Sequence, residues 1–253
     1  PLEVPPEAEP YGAQMAAQIK ARCSGIRGDV TLVIPTSKAL LRVVSLPSVD
    51  SDELRDMAEL QVDKFSPFPL DQMCVGHEVL TQTEDQSRVL IAAVPRETVD
   101  GLGSICAAAN ILPNAVDIEI MGWWWLLKSK GHVADTGRQL FLIYDRSGWN
   151  LVVAEDGTPL LIRALGASVT DAAGTAREIA EEVSYTLATL ETEWGHAHVL
   201  AVEIWHGQDV APGLLDTLTV ELSATGLPAR TNALATLLPL SEGMARRVHE
   251  ARG

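Results

Sequence analysis

The segment Asp145-Arg146-Ser147-Gly148 has the residue types in this sequence best suited to hold an anionic ligand. A carboxylate at the end of a strand can hold Mg²⁺ through water, and a Ser-Gly turn can present backbone N–H groups to a phosphate. The same residues also compose ordinary hairpin turns, and Trp149 would crowd a ligand there. This composition favours a plain hairpin and leaves binding of a magnesium nucleotide as the alternative.

The run Trp123, Trp124 and Trp125 lies in a segment that predicts a helix. Successive helical positions differ by about 100°, whereas the apolar stripe of a surface helix is only a little over about 100° wide. At least one indole is therefore expected at a contact with a partner or with a second copy, where Trp is enriched. The alternative is that two indoles fill the core and the third lies against a loop.

Other motifs in the sequence do not predict a catalytic centre or a metal site. His196 and His198 lack a third ligand at matching spacing, as a zinc site would require. Gly101 and Gly103 lie inside a helical pattern and do not form a dinucleotide loop after a strand. The strings GxSxG, HExxH and GxxxxGK[ST] do not occur, which removes common hydrolase, zinc-protease and P-loop functions.

Composition restricts the partners of this 253-residue chain. Its formal charge of −15 argues against nucleic acid and anionic lipid, and it suits a basic partner. No apolar run reaches the length of a membrane span. The start, PLEVPPEAEP, does not resemble a signal peptide, and its proline density suggests a linker or a cut inside a longer protein. Three dispersed cysteines without a CxxC pattern predict a reducing compartment.

Hydrophobic periodicity predicts alternating helices and strands in the first half of the chain. Strands are expected at 29–35 and 39–47, paired through Thr36-Ser37-Lys38, and a second pair at 74–82 and 87–95. Asp50 or Ser51 caps a helix over 51–65, which the Ser66-Pro67-Phe68-Pro69 segment must end. The remaining expectations are helices ending near Cys23 and over 96–110 and 122–131, and a strand at 114–120.

The second half predicts a three-stranded meander at 139–145, 150–156 and 159–166, with a hairpin turn at Asp156-Gly157. A long helix over 173–194, a strand at 197–207, a helix over 214–226 and a short strand near 228–232 follow. This is the element order of a ribonuclease-H-like unit, the half-domain of actin-like proteins. The first half resembles such a unit with its opening strands missing or rearranged.

The order of motifs resembles the PilM/GspL group of actin-like assembly proteins of type IV pilus and type II secretion systems. Residues 30–80 carry the group's pattern of a strand ending in Leu-Pro, a helix with an acidic residue (Glu59) and a Pro-Phe-Pro turn. Residues 89–122 extend it. Residues 142–166, with Asp145 and Arg163, match the group's second phosphate-loop region.

The resemblance implies an α/β fold of two actin-like subdomains with mixed sheets flanked by helices, over 1–130 and 138–253. It implies a non-catalytic cytoplasmic scaffold at the inner-membrane face, reaching the membrane through a PilN-like partner or a further segment, near a cytoplasmic assembly ATPase. No cofactor is expected.

ATP binding or hydrolysis with Mg²⁺, at Asp145, Arg146, Ser147, Gly148 and Gly207, is the alternative that the same resemblance implies. The sequence departs from the group's ATP binders in two places. No Asp-x-Gly loop precedes Met15, and the glycine pair expected beside adenosine is reduced to His206-Gly207-Gln208. We therefore expect no ATP hydrolysis by this chain.

Overall fold

The computed structural model describes residues 13–23, 28–167 and 171–250, and its contacts divide the chain into two compact units, Pro1–Gly122 and Trp123–Gly253. Each unit contains its own hydrophobic cluster. The domain bounds expected from the sequence, 1–130 and 138–253, stay a prediction. Within the described ranges, no helix is both long enough and apolar enough to cross a membrane.

The first unit contains short helices around two small sheets. Its elements in chain order are α1 (Ala13–Cys23), β1 (Thr31–Ile34), β2 (Leu40–Leu46), α2 (Ser51–Phe65), β3 (Met73–Gln82), β4 (Ser87–Pro95), α3 (Arg96–Ala108), β5 (Ala115–Ile118) and the start of α4 (Glu119–Ser129). One sheet is antiparallel with the order β2-β4-β3, and the other is the parallel pair β1-β5.

Helix α2 has the bounds that the sequence predicts. The side chain of Asp50 accepts hydrogen bonds from the backbone N–H groups of Asp52 and Glu53, at 2.9 and 3.0 Å, and so caps the helix. Leu54, Ala58 and Val62 recur every fourth residue and are buried against the antiparallel sheet. The helix ends at Phe65 because the ring of Pro67 disfavours helical backbone at the preceding residue, Ser66.

The expected pairing of the first two strands is wrong. Thr36–Lys38 forms a 3-10 turn between β1 and β2, and each strand pairs elsewhere. Strand β1 is parallel to β5, in a register that sets Thr31 opposite Ala115, whereas β2 is antiparallel to β4. The expected antiparallel pair of β3 and β4 is confirmed.

The second unit is built on one five-stranded mixed sheet. Its elements are β6 (Arg138–Asp145), β7 (Gly148–Glu155), β8 (Thr158–Leu165), α5 (Ala172–Trp194), β9 (Val199–His206), α6 (Leu214–Ala224), β10 (Ala229–Ala233) and α7 (Leu240–Glu250). The strand order is β10-β9-β6-β7-β8, with β6 to β8 antiparallel and β9 and β10 parallel to β6.

The meander of β6, β7 and β8 is confirmed. Asp156 and Gly157 join its last two strands with φ of 50° and 72°, and two successive positive values are those of a type I′ hairpin turn. One face of the sheet packs against α5 and α6 through residues such as Leu142, Val153 and Leu218. Helix α7 was not predicted from the sequence.

The two units share an order of elements. In the second unit, the meander is followed by helix, strand, helix, strand and helix, from α5 to α7, with β9 and β10 parallel. In the first unit, α1, β1, α3, β5 and α4 repeat that order, with β1 and β5 parallel and β2 to β4 inserted after β1. Parallel and antiparallel pairings therefore occur within one sheet in the second unit. In the first unit one sheet is antiparallel and the other is parallel.

Candidate functional site

The turn between β6 and β7 is held together by the carboxylate of Asp145. Oδ1 of Asp145 accepts hydrogen bonds from the backbone N–H of Ser147 at 2.9 Å and from the Ser147 hydroxyl at 2.6 Å. Gly148 follows with φ of 113°, a conformation that L side chains rarely adopt. The Ser147 N–H group, which could otherwise face a phosphate, is thus used within the turn.

The second oxygen of Asp145 is bound to the tryptophan run. The indole Nε1–H of Trp123 donates to Oδ2 of Asp145 over 2.6 Å. The carboxylate therefore accepts three hydrogen bonds from within the protein. Such a carboxylate can fix the position of α4 relative to β6, and it has less capacity left for the water shell of a cation.

The three indoles differ in burial. Trp123 and Trp124 are buried, and Trp125 is half-buried. The Trp124 ring meets Phe141 of β6 edge-on, with centroids 5.8 Å apart at 80°. Two indoles therefore belong to the core, and Trp125 has the largest exposed fraction of the run. Its assignment to a partner contact stays a prediction.

Gly207 lies at the same edge of the sheet as the Asp145 turn. Strands β6 and β9 are parallel neighbours in a register that sets Tyr144 opposite His206. The backbone N–H of Gly207 donates to the Tyr144 carbonyl at 2.9 Å. The structure thus brings Asp145, Arg146, Ser147, Gly148 and Gly207 to one sheet edge, at the carboxyl ends of strands where ligands of open α/β sheets bind.

A pocket of about 480 Å³ opens beside Gly207. It lies between the loop after β9, the start of α6 and the end of β10, and the 145–148 turn does not line it. Its lining residues are His206, Gly207, Gln208, Val210, Ala211, Pro212, Gly213, Leu215, Asp216, Ala233 and Ala235. Asp216 is the one carboxylate in this set and no Lys or Arg is present, so the lining offers a phosphate no guanidinium or ammonium group.

The α6 side of this pocket was not predicted from the sequence. Gly213, with φ of 78°, precedes the first residue of α6. The Pro212-Gly213 dipeptide before a helical pattern was the available signal. His196 and His198 precede β9, and His196 Nδ1 lies 2.7 Å from Glu191. Among the described residues, no group of three or more His, Cys, Asp or Glu side chains is arranged to hold a metal ion.

The sequence is similar to assembly proteins of type IV pilus and type II secretion systems. Residues 13–123 match the model of the family described as type IV pilus assembly protein PilM. The type II secretion system protein L of Xanthomonas campestris pv. campestris is 27% identical over 198 residues, which are 68% of this chain and 51% of that protein. Both matches support a PilM/GspL-type protein.

Solved structures agree on the fold of the chain. A chain of the PilM-PilN type IV pilus biogenesis complex superimposes with a TM-score of 0.68 at 19% identity. The superposition covers 96% of this chain and 81% of the chain in the complex. A protein of Bacteroides thetaiotaomicron with an actin-like ATPase fold gives 0.53 at 13% identity, covering 86% and 76%. The expected actin-like fold is confirmed.

The matches cover only part of the chain and only part of the type II secretion relative. The chain spans about half the length of the type II secretion relative. The match to PilM runs from α1 to Trp123, and so it includes α2, the Pro67-Phe68-Pro69 turn and the first indole. The 145–148 turn and the Gly207 pocket lie beyond it.

Proposed function

We propose that this chain is a non-catalytic scaffold of a type IV pilus or type II secretion assembly platform, on the cytoplasmic face of the inner membrane. The observation that carries the proposal is the match of residues 13–123 to PilM. A PilN-like membrane protein is the proposed partner, because the fold matches a chain of a PilM-PilN complex. A cytoplasmic assembly ATPase is proposed as a second neighbour.

The geometry at the sheet edge supports a non-catalytic role. Phosphoryl transfer requires phosphate-binding loops, a metal and a positioned nucleophile together. Here the Asp145 carboxylate accepts hydrogen bonds from Trp123 and Ser147. The nearby pocket has Asp216 and no Lys or Arg side chain in its lining.

Co-purification tests the scaffold function. The chain would be co-expressed with the PilN-like protein of the same genome, solubilised in detergent and passed over a size-exclusion column. We expect the two to elute as one complex. Separate elution at micromolar concentrations, with both proteins folded, would refute the proposed partner.

Nucleotide binding is the second candidate function. The observation in its favour is the pocket beside Gly207, at the strand ends where the Asp145 turn also lies. Isothermal titration of the full-length protein with Mg-ATP tests it, together with a phosphate-release assay. Under the scaffold proposal no turnover is expected. Turnover that disappears in Asp145→Ala would favour an enzyme instead.

A further inference from the structure

The outer side of α2 carries the exposed apolar residue Leu60. Leu54, Ala58 and Val62 face the sheet, and Leu60 lies about 160° around the helix from Ala58. The Leu60 side chain is 63% exposed. A large aliphatic side chain at the centre of the solvent side gains nothing from the core, and it is available to a partner.

A second exposed apolar residue follows the C-terminal end of α2 in the sequence. Phe68, three residues beyond the helix, is 50% exposed between Pro67 and Pro69. The Ser66 hydroxyl accepts from the Phe68 N–H at 3.0 Å and donates to the Phe68 carbonyl at 2.9 Å. An aromatic ring on a backbone fixed in this way loses little entropy when it is buried by a partner.

Carboxylates surround Leu60 on the helix. Asp56 lies four residues before Leu60, Glu59 one residue before it and Asp63 three residues after it. All three side chains are exposed. The helix carries five acidic and two basic residues, and the guanidinium of Arg55 is bound to Asp52 at 2.8 Å. Leu60 is thus flanked by negative charge, which a basic segment would complement.

We propose that the α2 outer face, made of Asp56, Glu59, Leu60, Asp63 and Phe68, docks a basic amphipathic segment of a partner protein. Apolar residues of the partner cover Leu60 and Phe68, and its Lys or Arg side chains meet the three carboxylates. The inference rests on the proposed scaffold function, for which it supplies a contact surface. The negative charge disfavours an anionic membrane as the occupant.

Peptides of defined charge test this face directly. We would titrate the whole chain at physiological salt with a Lys/Leu amphipathic peptide of about twelve residues, and with Glu/Leu and Lys/Ser peptides of equal length. The Lys/Leu peptide is expected to bind most tightly. Replacing both Leu60 and Phe68 by Ser should weaken it at least about tenfold. The control Tyr185→Ser/Val220→Ser removes side chains that are 68% and 67% exposed on α5 and α6, and it should change nothing.

Charge reversal separates this face from the net charge of the chain. Asp56→Lys/Glu59→Lys/Asp63→Lys should favour the Glu/Leu peptide. The control Glu181→Lys/Glu193→Lys/Asp209→Lys alters the charge equally at exposed residues elsewhere and should keep the Lys/Leu preference. Equal effects of the two sets, or no binding of the Lys/Leu peptide, would overturn the inference. If the wild-type chain forms no complex with the PilN-like protein, the proposed function is overturned instead. Failure of the docking face and failure of the scaffold function are therefore distinguishable.

Discussion

Trp123 and Asp145 are joined by a 2.6 Å hydrogen bond from the indole nitrogen to the carboxylate oxygen Oδ2. This bond ties α4 to the carboxyl end of β6, and the same carboxylate closes the 145–148 turn through Ser147. A single side chain therefore satisfies a buried donor of the core and fixes a turn at the sheet edge. Its first role is structural.

Removing the carboxylate of Asp145 should destabilise the second unit. In Asp145→Ala the buried Trp123 Nε1–H loses its acceptor, and we expect the free energy of unfolding to fall by about 1–3 kcal/mol. Asp145→Asn retains one acceptor oxygen and should lose less. Urea titration followed by tryptophan fluorescence measures both. Asp209→Ala, at an exposed carboxylate, is the control, and equal stability of the two Ala variants would remove this role from Asp145.

Two glycines near β6 should respond differently to alanine. Gly137 has φ of +82°, and an added Cβ would lie 2.6 Å from Leu200 Cδ1, so Gly137→Ala should cost about 1–2 kcal/mol. At Gly207 the Cβ would meet the Tyr144 carbonyl at 3.7 Å, an ordinary contact. We expect the unfolding temperature of Gly207→Ala to equal that of the wild type. A large loss there would show that the loop after β9 needs glycine for its own fold.

Local signals predicted much of the fold. Asp50 and Pro67 mark the ends of α2, because capping and proline sterics act within a few residues. Asp156-Gly157 predicts the β7-β8 turn, since few other residues tolerate two positive φ values. These elements were predictable because the residues that determine them are neighbours in sequence.

Pairings between distant residues were not predictable in the same way. Strand β1 finds its parallel partner β5 about eighty residues later, and no turn residue between them specifies that register. The bond between Trp123 and Asp145 is another example, because neither residue type nor spacing pairs an indole with a carboxylate on a different element. The candidate residues could be named from the sequence, but their mutual contacts required the fold.

Cys106 should be the least reactive thiol of the chain. Burial raises the pKa of Cys106, and the neighbouring Cys23 raises it further. At a given pH its thiolate fraction is lower, so iodoacetamide should label it more slowly than the half-buried Cys23 and Cys74. Mass spectrometry of labelled peptides over a pH series measures this. Labelling of Cys106 as fast as Cys74 would contradict the expectation.

The raised pKa of Cys106 also affects stability. Because the folded state holds the thiol proton more tightly, the contribution of Cys106 to the free energy of unfolding is present at neutral pH and is lost as pH rises through the raised pKa.

Trp124 and Trp125 should separate packing from partner binding. Trp124 is buried against Phe141, so Trp124→Ser should lower the free energy of unfolding by about 3–5 kcal/mol. Trp125 is half-buried and keeps part of its surface in water, so Trp125→Ser should cost clearly less. Chemical denaturation of the two variants checks this order, and a larger loss for Trp125 would reverse the assignment.

The exposed part of Trp125 is where a contact of the tryptophan run with a partner or a second copy must lie, because Trp123 and Trp124 are buried. Truncating an aromatic anchor at an interface costs more than about 1 kcal/mol. Trp125→Ser should therefore weaken the complex with the PilN-like protein several-fold, or shift a dimer toward monomer. Co-elution and light scattering measure the two outcomes. Tyr185→Ser, at a 68% exposed ring on α5, is the matched control. If Trp125→Ser and this control behave like the wild type in both assays, Trp125 serves packing alone.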